Sequence, residues 1–252
     1  MRVLVAVPVY NEANYVERVI GRISSIASDV LVIDDGSTDP TPCLLPRFPV
    51  EVIRHAENRG YGRSMQDAFR WARVDAFDWV ITMDCDEQHE PEAIPDFTRV
   101  IEQDTHDVIS GSRYLDAASA VSQPPENRRK INKLLTDELN SRVATLFGGA
   151  ITDGFCGFKA YRVSAVSKLA LDVDGYAFPM QFWVQAAAHR LRVTEIPVKL
   201  IYNDPDRTFG GPLNDNDIRL RHYRDVLHRE LDRCRDRLPD ASLVDLASAS
   251  AK

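Results

Sequence analysis

Among the 252 residues there is no run of about 18 consecutive apolar ones, so no segment carries enough hydrocarbon to cross a bilayer as a helix. The sequence enters RVLVAVPVY at once, with no basic stretch leading into a cleavable apolar one. The expectation is a chain that does not span a membrane by itself. Cysteine is sparse: Cys43, Cys85, Cys156 and Cys234 lie far apart and form no CxxC pair. That excludes a zinc knuckle or a disulfide framework, and makes a reducing cytoplasmic compartment the expected one. Positive charge is also in deficit, with 31 Lys and Arg against 38 Asp and Glu and a net charge of −7. A basic face able to neutralise nucleic-acid phosphates is therefore not expected, and any anionic ligand must be held by local groups. There is no internal repeat.

What is present is an ordinary globular composition, 44% hydrophobic and 27% charged, in a length that suits one α/β domain with insertions. The segments at 2–9, 29–35, 50–55, 77–84 and 107–112 are short apolar runs that read as strands buried on both faces. Between them, 13–27, 61–74 and 91–103 carry apolar residues at three- and four-residue spacing and read as helices. Strands alternating with helices of this length predict βαβ units and a Rossmann-like, mainly parallel sheet flanked by helices. In such sheets ligands bind outside the carboxyl ends of the strands. The polar residues gather at those ends: Asn11 and Glu12 after the first strand, Asp34 and Asp35 after the second, Asn58 and Gly60 after the third, and Asp84 to Gln88 after the fourth. Four loops are expected to converge on one crevice.

The second half is less regular. Residues 113–128 read as loop, 129–147 as helix, 151–162 as mixed turn and strand, and 179–191 as helix before a strand over 192–202. Pro, Gly and Asp mark 203–215 as a loop, and a charged helix over 215–238 carries an apolar stripe of Ile218, Tyr223, Leu227, Leu231 and Leu238. The remaining residues are expected to form a poorly ordered tail.

Residues 84–88 read DCDEQ. On an extended backbone, residues two apart point to the same side, so Asp84, Asp86 and Gln88 aim three oxygen donors at one point. Hard divalent cations such as Mg²⁺ favour carboxylates plus substrate phosphates over closed protein cages. The plainer alternative is an acidic turn, since so short a motif arises by chance. Its place at a strand end, among three other polar strand ends, favours the metal site. Asp35 stands where a carboxylate can accept hydrogen bonds from a ribose or a base, with Gly36 closing the turn. Asn11 and Glu12 read equally well as a helix cap, and Ser37 to Asp39 as a turn.

VAVPVYNEANYVERVI, VIDDGSTDPT, NRGYGRSMQDAF, VITMDCDEQHEPEAIP, VISGSRY and DGFCGFKAYR occur in this order over residues 2 to about 212. The combination resembles family 2 glycosyltransferases, most closely the dolichyl-phosphate or polyprenyl-phosphate mannose and glucose synthases. The resemblance implies a GT-A-type fold, a nucleotide-sugar donor of the GDP-mannose or UDP-glucose type, Mg²⁺ or Mn²⁺, and transfer with inversion to a polyprenyl phosphate. It implies a transferase domain over 1–212, with a nucleotide-sugar and metal half at 1–112 and an acceptor half at 113–212. A charged helix over 213–238 and a tail over 239–252 would follow. By position, Pro8, Tyr10 and Glu12 would sit by the base and Asp35 by the base or ribose, with Asn58 and Gly60 completing the donor site. Asp84, Asp86 and Gln88 match the metal-binding Asp-x-Asp-x-Gln. Arg113 would lie near the donor, Arg129 would grip the acceptor phosphate, and Arg207 would lie over the diphosphate. Asp86, Arg113, Arg129 and Arg207 are thus the candidate catalytic residues.

The sequence departs from that pattern on the acceptor side. Gln181 in FPMQF stands where relatives commonly carry a carboxylate, which favours a phosphate acceptor, because a phosphate already bears its nucleophilic oxygen as an anion. Asp153 and Glu90 are alternative bases. Lys133 replaces a small hydroxyl residue, and RTFGGPL lacks the usual Ser-Lys. Many relatives carry a C-terminal membrane anchor. Without one, a lipid acceptor implies peripheral docking at the cytoplasmic face, through Arg219, Arg221, Arg224 and Arg229, or a separate membrane subunit. The alternatives are the same donor chemistry with a soluble hydroxyl or glycan acceptor, a nucleotidyltransferase, and an inactive nucleotide-sugar-binding module.

Overall fold

The computed structural model describes residues 1–116, 122, 125–202 and 210–244. Its centre is a seven-stranded sheet of β1 (Val3–Val9), β2 (Val30–Asp34), β3 (Glu51–Arg54), β4 (Trp79–Thr82), β5 (Val108–Ser112), β6 (Lys159–Arg162) and β7 (Val193–Pro197). The order across the sheet is β3-β2-β1-β4-β6-β5-β7. All pairings are parallel except those of β6, which runs antiparallel between β4 and β5. Alternation within each strand feeds two cores. Leu4, Ala6, Leu31, Ile33 and Val80 face one layer, while Val5, Val7, Val30, Val32 and Ile81 face the other. Burial on both faces is what the unbroken Val, Ile and Leu runs require.

The helices are α1 (Val16–Ile26), α2 (Thr41–Leu44), α3 (Tyr61–Val74), α4 (Ile94–Ile101), α5 (Glu126–Phe147), α6 (Val163–Val166), α7 (Phe178–Ala188) and α8 (Asn216–Arg233). On one face, α1 and α4 bury Val16, Val19, Ile20, Ile23, Ile94, Phe97 and Ile101. On the other lie α3, α5, α7 and α8, whose apolar stripes share Met65, Leu135, Leu139, Phe182, Trp183, Leu227 and Leu231. Register sets the carboxyl ends level: Val9 pairs with Asp34, and Asp34 with Arg54.

Some expectations are corrected. The strand at 50–55 is not buried on both faces: within β3 only Ile53 is partly covered, because β3 is the sheet edge and pairs with β2 alone. The strand expected over 192–202 stops at Pro197, and Val198 and Leu200 are buried without strand pairing. In α8 the stripe begins one residue late. Ile218 is exposed, while Arg219 turns inward and bonds the Leu213 carbonyl and Asn216 Oδ1. Of the expected tail, Asp240–Leu243 forms a single turn packed on α5, with Ser242 Oγ donating to the Arg142 carbonyl at 2.6 Å. Residues 245–252 lie outside the described residues. No described helix is long and apolar enough to cross a membrane.

Candidate active site

A cavity of about 250 Å³ opens at the carboxyl ends of β1, β2 and β4. Pro8, Tyr10, Glu12, Asp35, Asn58, Gly60, Asp84, Asp86, Gln88 and Arg113 all line it, so the structure brings together most of the residues singled out in the sequence. Arg207 lies outside the described residues. Arg129 is exposed and does not line the cavity. Its neighbour Arg128 does, held by the Tyr202 hydroxyl at 2.7 Å with its guanidinium 5.5 Å from the Tyr202 ring centre.

The acidic corner follows β4. Cys85 is buried between Asp84 and Asp86, as strand-like alternation requires, and both carboxylates reach the cavity. Gln88 arrives differently. Glu87 adopts a left-handed conformation (φ 58°), so a bend, not an extended backbone, returns Gln88 to the wall, its N–H donating to Asp86 Oδ1 at 3.0 Å. Glu87 itself faces away, in a two-point ion pair with Arg18.

Opposite Asp84 stands Gly157. A Cβ at that position would lie 2.5 Å from Asp84 Oδ2, so the glycine is what admits the carboxylate. Buried His89 accepts the Asp84 N–H at Nδ1, 3.0 Å away. Burial disfavours its charged form while Asp84, then Cys156, then Asp86 favour it, and an Nδ1 that accepts an N–H belongs to the neutral ring. The local excess of negative charge is what a divalent cation would meet. Among the described residues no three carboxylate, imidazole or thiol groups converge, so a cation here would complete its shell with Gln88, water and substrate oxygens. The donor set fits Mg²⁺ or Mn²⁺.

The loops after β2 and β3 are bound to each other. Asp35 accepts the N–H groups of Arg59 and Gly60, each at 2.8 Å, and pairs with His55 Nδ1 at 2.6 Å. His55 Nε2 lies 3.0 Å from Asp67 on α3. Asp35 therefore shapes the Asn58–Gly60 wall as well as facing the cavity. Asn11 is not a helix cap: its Oδ1 accepts the N–H groups of Thr38 and Asp39, closing the turn after β2.

On the second-half side, Arg113 forms a two-point ion pair with Asp153 at 2.6 and 2.9 Å. Burial disfavours both charges, but each holds the other ionised, so the Asp153 carboxyl sits below its ordinary range. Glu90 is paired with Lys199. Neither carboxylate lines the cavity. Gln181 is fully buried away from it, and its amide bonds the N–H groups of Asp172 and Val173 and the carboxylate of Glu230. Its identity says nothing about a base. Lys133 pairs with Asp137 on the exposed face of α5.

Sequence reasoning missed an aromatic wall: Tyr61, Phe155, Tyr161, Tyr176, Phe178, Phe182, Trp183, Tyr202 and Tyr223 also line the cavity. Its signal was the aromatic clustering in DGFCGFKAYR and GYAFPMQFW. Lys159 is buried beneath this wall, donating to the Cys156 carbonyl, with Nζ 5.5 Å from the Trp183 ring centre; burial lowers its pKa.

The model of the family described as "Glycosyl transferase family 2" matches residues 4–170. An undecaprenyl-phosphate mannosyltransferase of Micrococcus luteus is 29% identical over 211 residues, 80% of this chain and 84% of that protein. A dolichol-phosphate mannosyltransferase of Pyrococcus furiosus is 30% identical over 205 residues, covering 78% of this chain and 56% of that one. Among solved structures, a glucosyl-3-phosphoglycerate synthase from Mycobacterium tuberculosis, in complex with Mn²⁺, UDP and glucosyl-3-phosphoglycerate, superposes with a TM-score of 0.69 at 18% identity. It covers 95% of this chain and 81% of that one. With the GT-A-type sheet and the acidic corner in place, these matches put the chain in glycosyl transferase family 2.

Proposed function

We propose that the chain is an inverting, metal-dependent transferase that moves a hexose, mannose or glucose, from a GDP- or UDP-sugar to a polyprenyl or dolichyl phosphate. The observation that carries the reading is the meeting of Asp84, Asp86 and Gln88 on one cavity with Pro8, Tyr10 and Glu12. Asp84, Asp86 and Gln88 would hold Mg²⁺ or Mn²⁺. When bound, the ion supplies positive charge where the departing nucleoside diphosphate gains negative charge.

The remaining work falls to the chain's own residues. Pro8, Tyr10 and Glu12 receive the nucleobase, and the Asp35-braced loop with Asn58 and Gly60 flanks the ribose. Arg113, fixed by Asp153, adds a positioned cation beside the donor. Arg128 on the wall gathers an anionic acceptor, and Arg129 and Arg207 keep the acceptor-phosphate and diphosphate roles that the resemblance implies. An acceptor phosphate attacks through an oxygen that is already ionised, so no side chain must remove a proton. This agrees with Asp153 and Glu90 both being committed to ion pairs. The names of the mannosyltransferase relatives support a lipid-phosphate acceptor. Such an acceptor implies work at the cytoplasmic face of a membrane, by peripheral docking or with a membrane subunit.

A second reading keeps the donor and takes a soluble acceptor; the shared fold with the glucosyl-3-phosphoglycerate synthase favours it. A thermal-shift screen of GDP- and UDP-sugars with and without Mn²⁺ identifies the donor, because a ligand of the native state raises Tm. Transfer assays with polyprenyl phosphate and with soluble hydroxyl compounds or glycans then separate the two readings. Asp86→Asn removes one metal-facing charge, so it should abolish turnover and leave the fold intact. Full activity in that variant would overturn the proposal.

A further inference from the structure

Ser64 stands in the first turn of α3, one turn beyond Gly60, and lines the same cavity. It is fully buried, and its Oγ has no hydrogen-bond partner. A serine inside a helix ordinarily returns its hydroxyl to the carbonyl four residues back. Here that carbonyl, of Gly60, receives the N–H groups of Arg63 at 3.0 Å and Ser64 at 3.2 Å, and the hydroxyl stays unspent. Burying a hydroxyl with no partner costs stability that alanine would not cost.

The turn is also fixed in place. A Cβ at Gly62 would lie 2.0 Å from the Val173 carbonyl oxygen, and one at Gly60 would lie 2.4 Å from that of Asp174. The start of α3 is thus wedged against the 173–175 segment, which fixes the backbone that carries Ser64. Its neighbour Tyr61 lines the same cavity as Asp84 and Asp86, so this turn and the acidic corner share one wall.

We propose that Ser64 is a donor-specificity residue: its Oγ hydrogen-bonds a sugar hydroxyl of the bound nucleotide sugar, on the ribose or on the hexose. This rests on the nucleotide-sugar reading above. A buried hydrogen-bonding group left unmatched rejects a ligand far more strongly than a missing methylene does.

The test is calorimetric titration of wild type and Ser64→Ala with the preferred nucleotide sugar and with its nucleoside diphosphate, alongside ligand-free Tm. Ser64→Ala should keep or raise the ligand-free Tm and weaken nucleotide-sugar binding by about 3- to 10-fold, the worth of one neutral hydrogen bond. Loss confined to the nucleotide sugar assigns the bond to the hexose, and equal loss for the nucleoside diphosphate assigns it to the ribose. Unchanged affinity for both ligands overturns the proposal, and so does a ligand-free Tm several degrees lower, which would make the hydroxyl structural. Should wild type bind no nucleotide sugar at all, the donor reading itself falls and takes this inference with it.

Discussion

Gly157 is the residue on which the acidic corner turns. Any side chain there meets Asp84, since a Cβ would sit 2.5 Å from Oδ2 and 2.7 Å from Oδ1. Gly157→Ala should leave the chain folded and cut turnover by about 100-fold, the scale of an ångström-sized displacement of a reacting group. Circular dichroism and a Mn²⁺ titration of kcat together check this. At this scale the sequence was informative where spacing alone sets direction, as for Asp84 and Asp86. It was less so where a backbone turn intervenes, as at Glu87 before Gln88, or where a carboxylate is claimed from within, as when Asp35 takes the Arg59 and Gly60 N–H groups. Helical phase decides between Arg128 and Arg129, and Arg128 belongs to α5 at all because the helix starts at Glu126, three residues earlier than the pattern suggested.

Among the elements, α8 is joined to α7 by a buried polar link. Glu230 is fully buried and accepts the side-chain amides of Gln181 at 2.9 Å and Gln185 at 3.1 Å. Glu230→Ala takes one of two acceptors from each amide, leaving Asp172 to Gln181 and the Ala170 carbonyl to Gln185, and chemical denaturation should show a loss of about 1–3 kcal/mol. Tyr223, from the same helix, lines the cavity, so donor or acceptor KM should rise as well. The helices α1, α3 and α4 were legible because their apolar spacing is uninterrupted. Gln181 was not, because a polar residue that serves a buried network looks, in one dimension, like one that faces a ligand. The docking arginines were similarly ambiguous: Arg219 turns inward, and Arg224 is bonded to Glu138 at 2.7 Å.

Across the molecule, charge pairs fasten the sheet at the end away from the site. Asp107, just before β5, binds Arg192 before β7 and Arg162 at the end of β6. The Arg192 hydrogen bond lowers its pKa below the ordinary 3.8, against an opposing contribution from burial. A carboxyl with a depressed folded-state pKa contributes stability that is present above its ordinary value and lost as pH falls through the depressed one. Acid unfolding should therefore steepen below about pH 4, and Asp107→Asn should flatten that limb; Tm measured from pH 2 to 6 checks it. The overall class was legible because alternating strands and helices leave few arrangements. The reversed β6 was hidden within DGFCGFKAYR, where turn and strand signals overlap.

That reversal sets where the chain can be recombined. Because β6 runs from the site towards the opposite end, the residues just before it, Gly157 included, reach the donor corner from the second half of the sequence. A chimaera joined at residue 112 would graft a foreign glycine or its replacement against Asp84. A seam placed after Arg162 would carry the whole corner across intact.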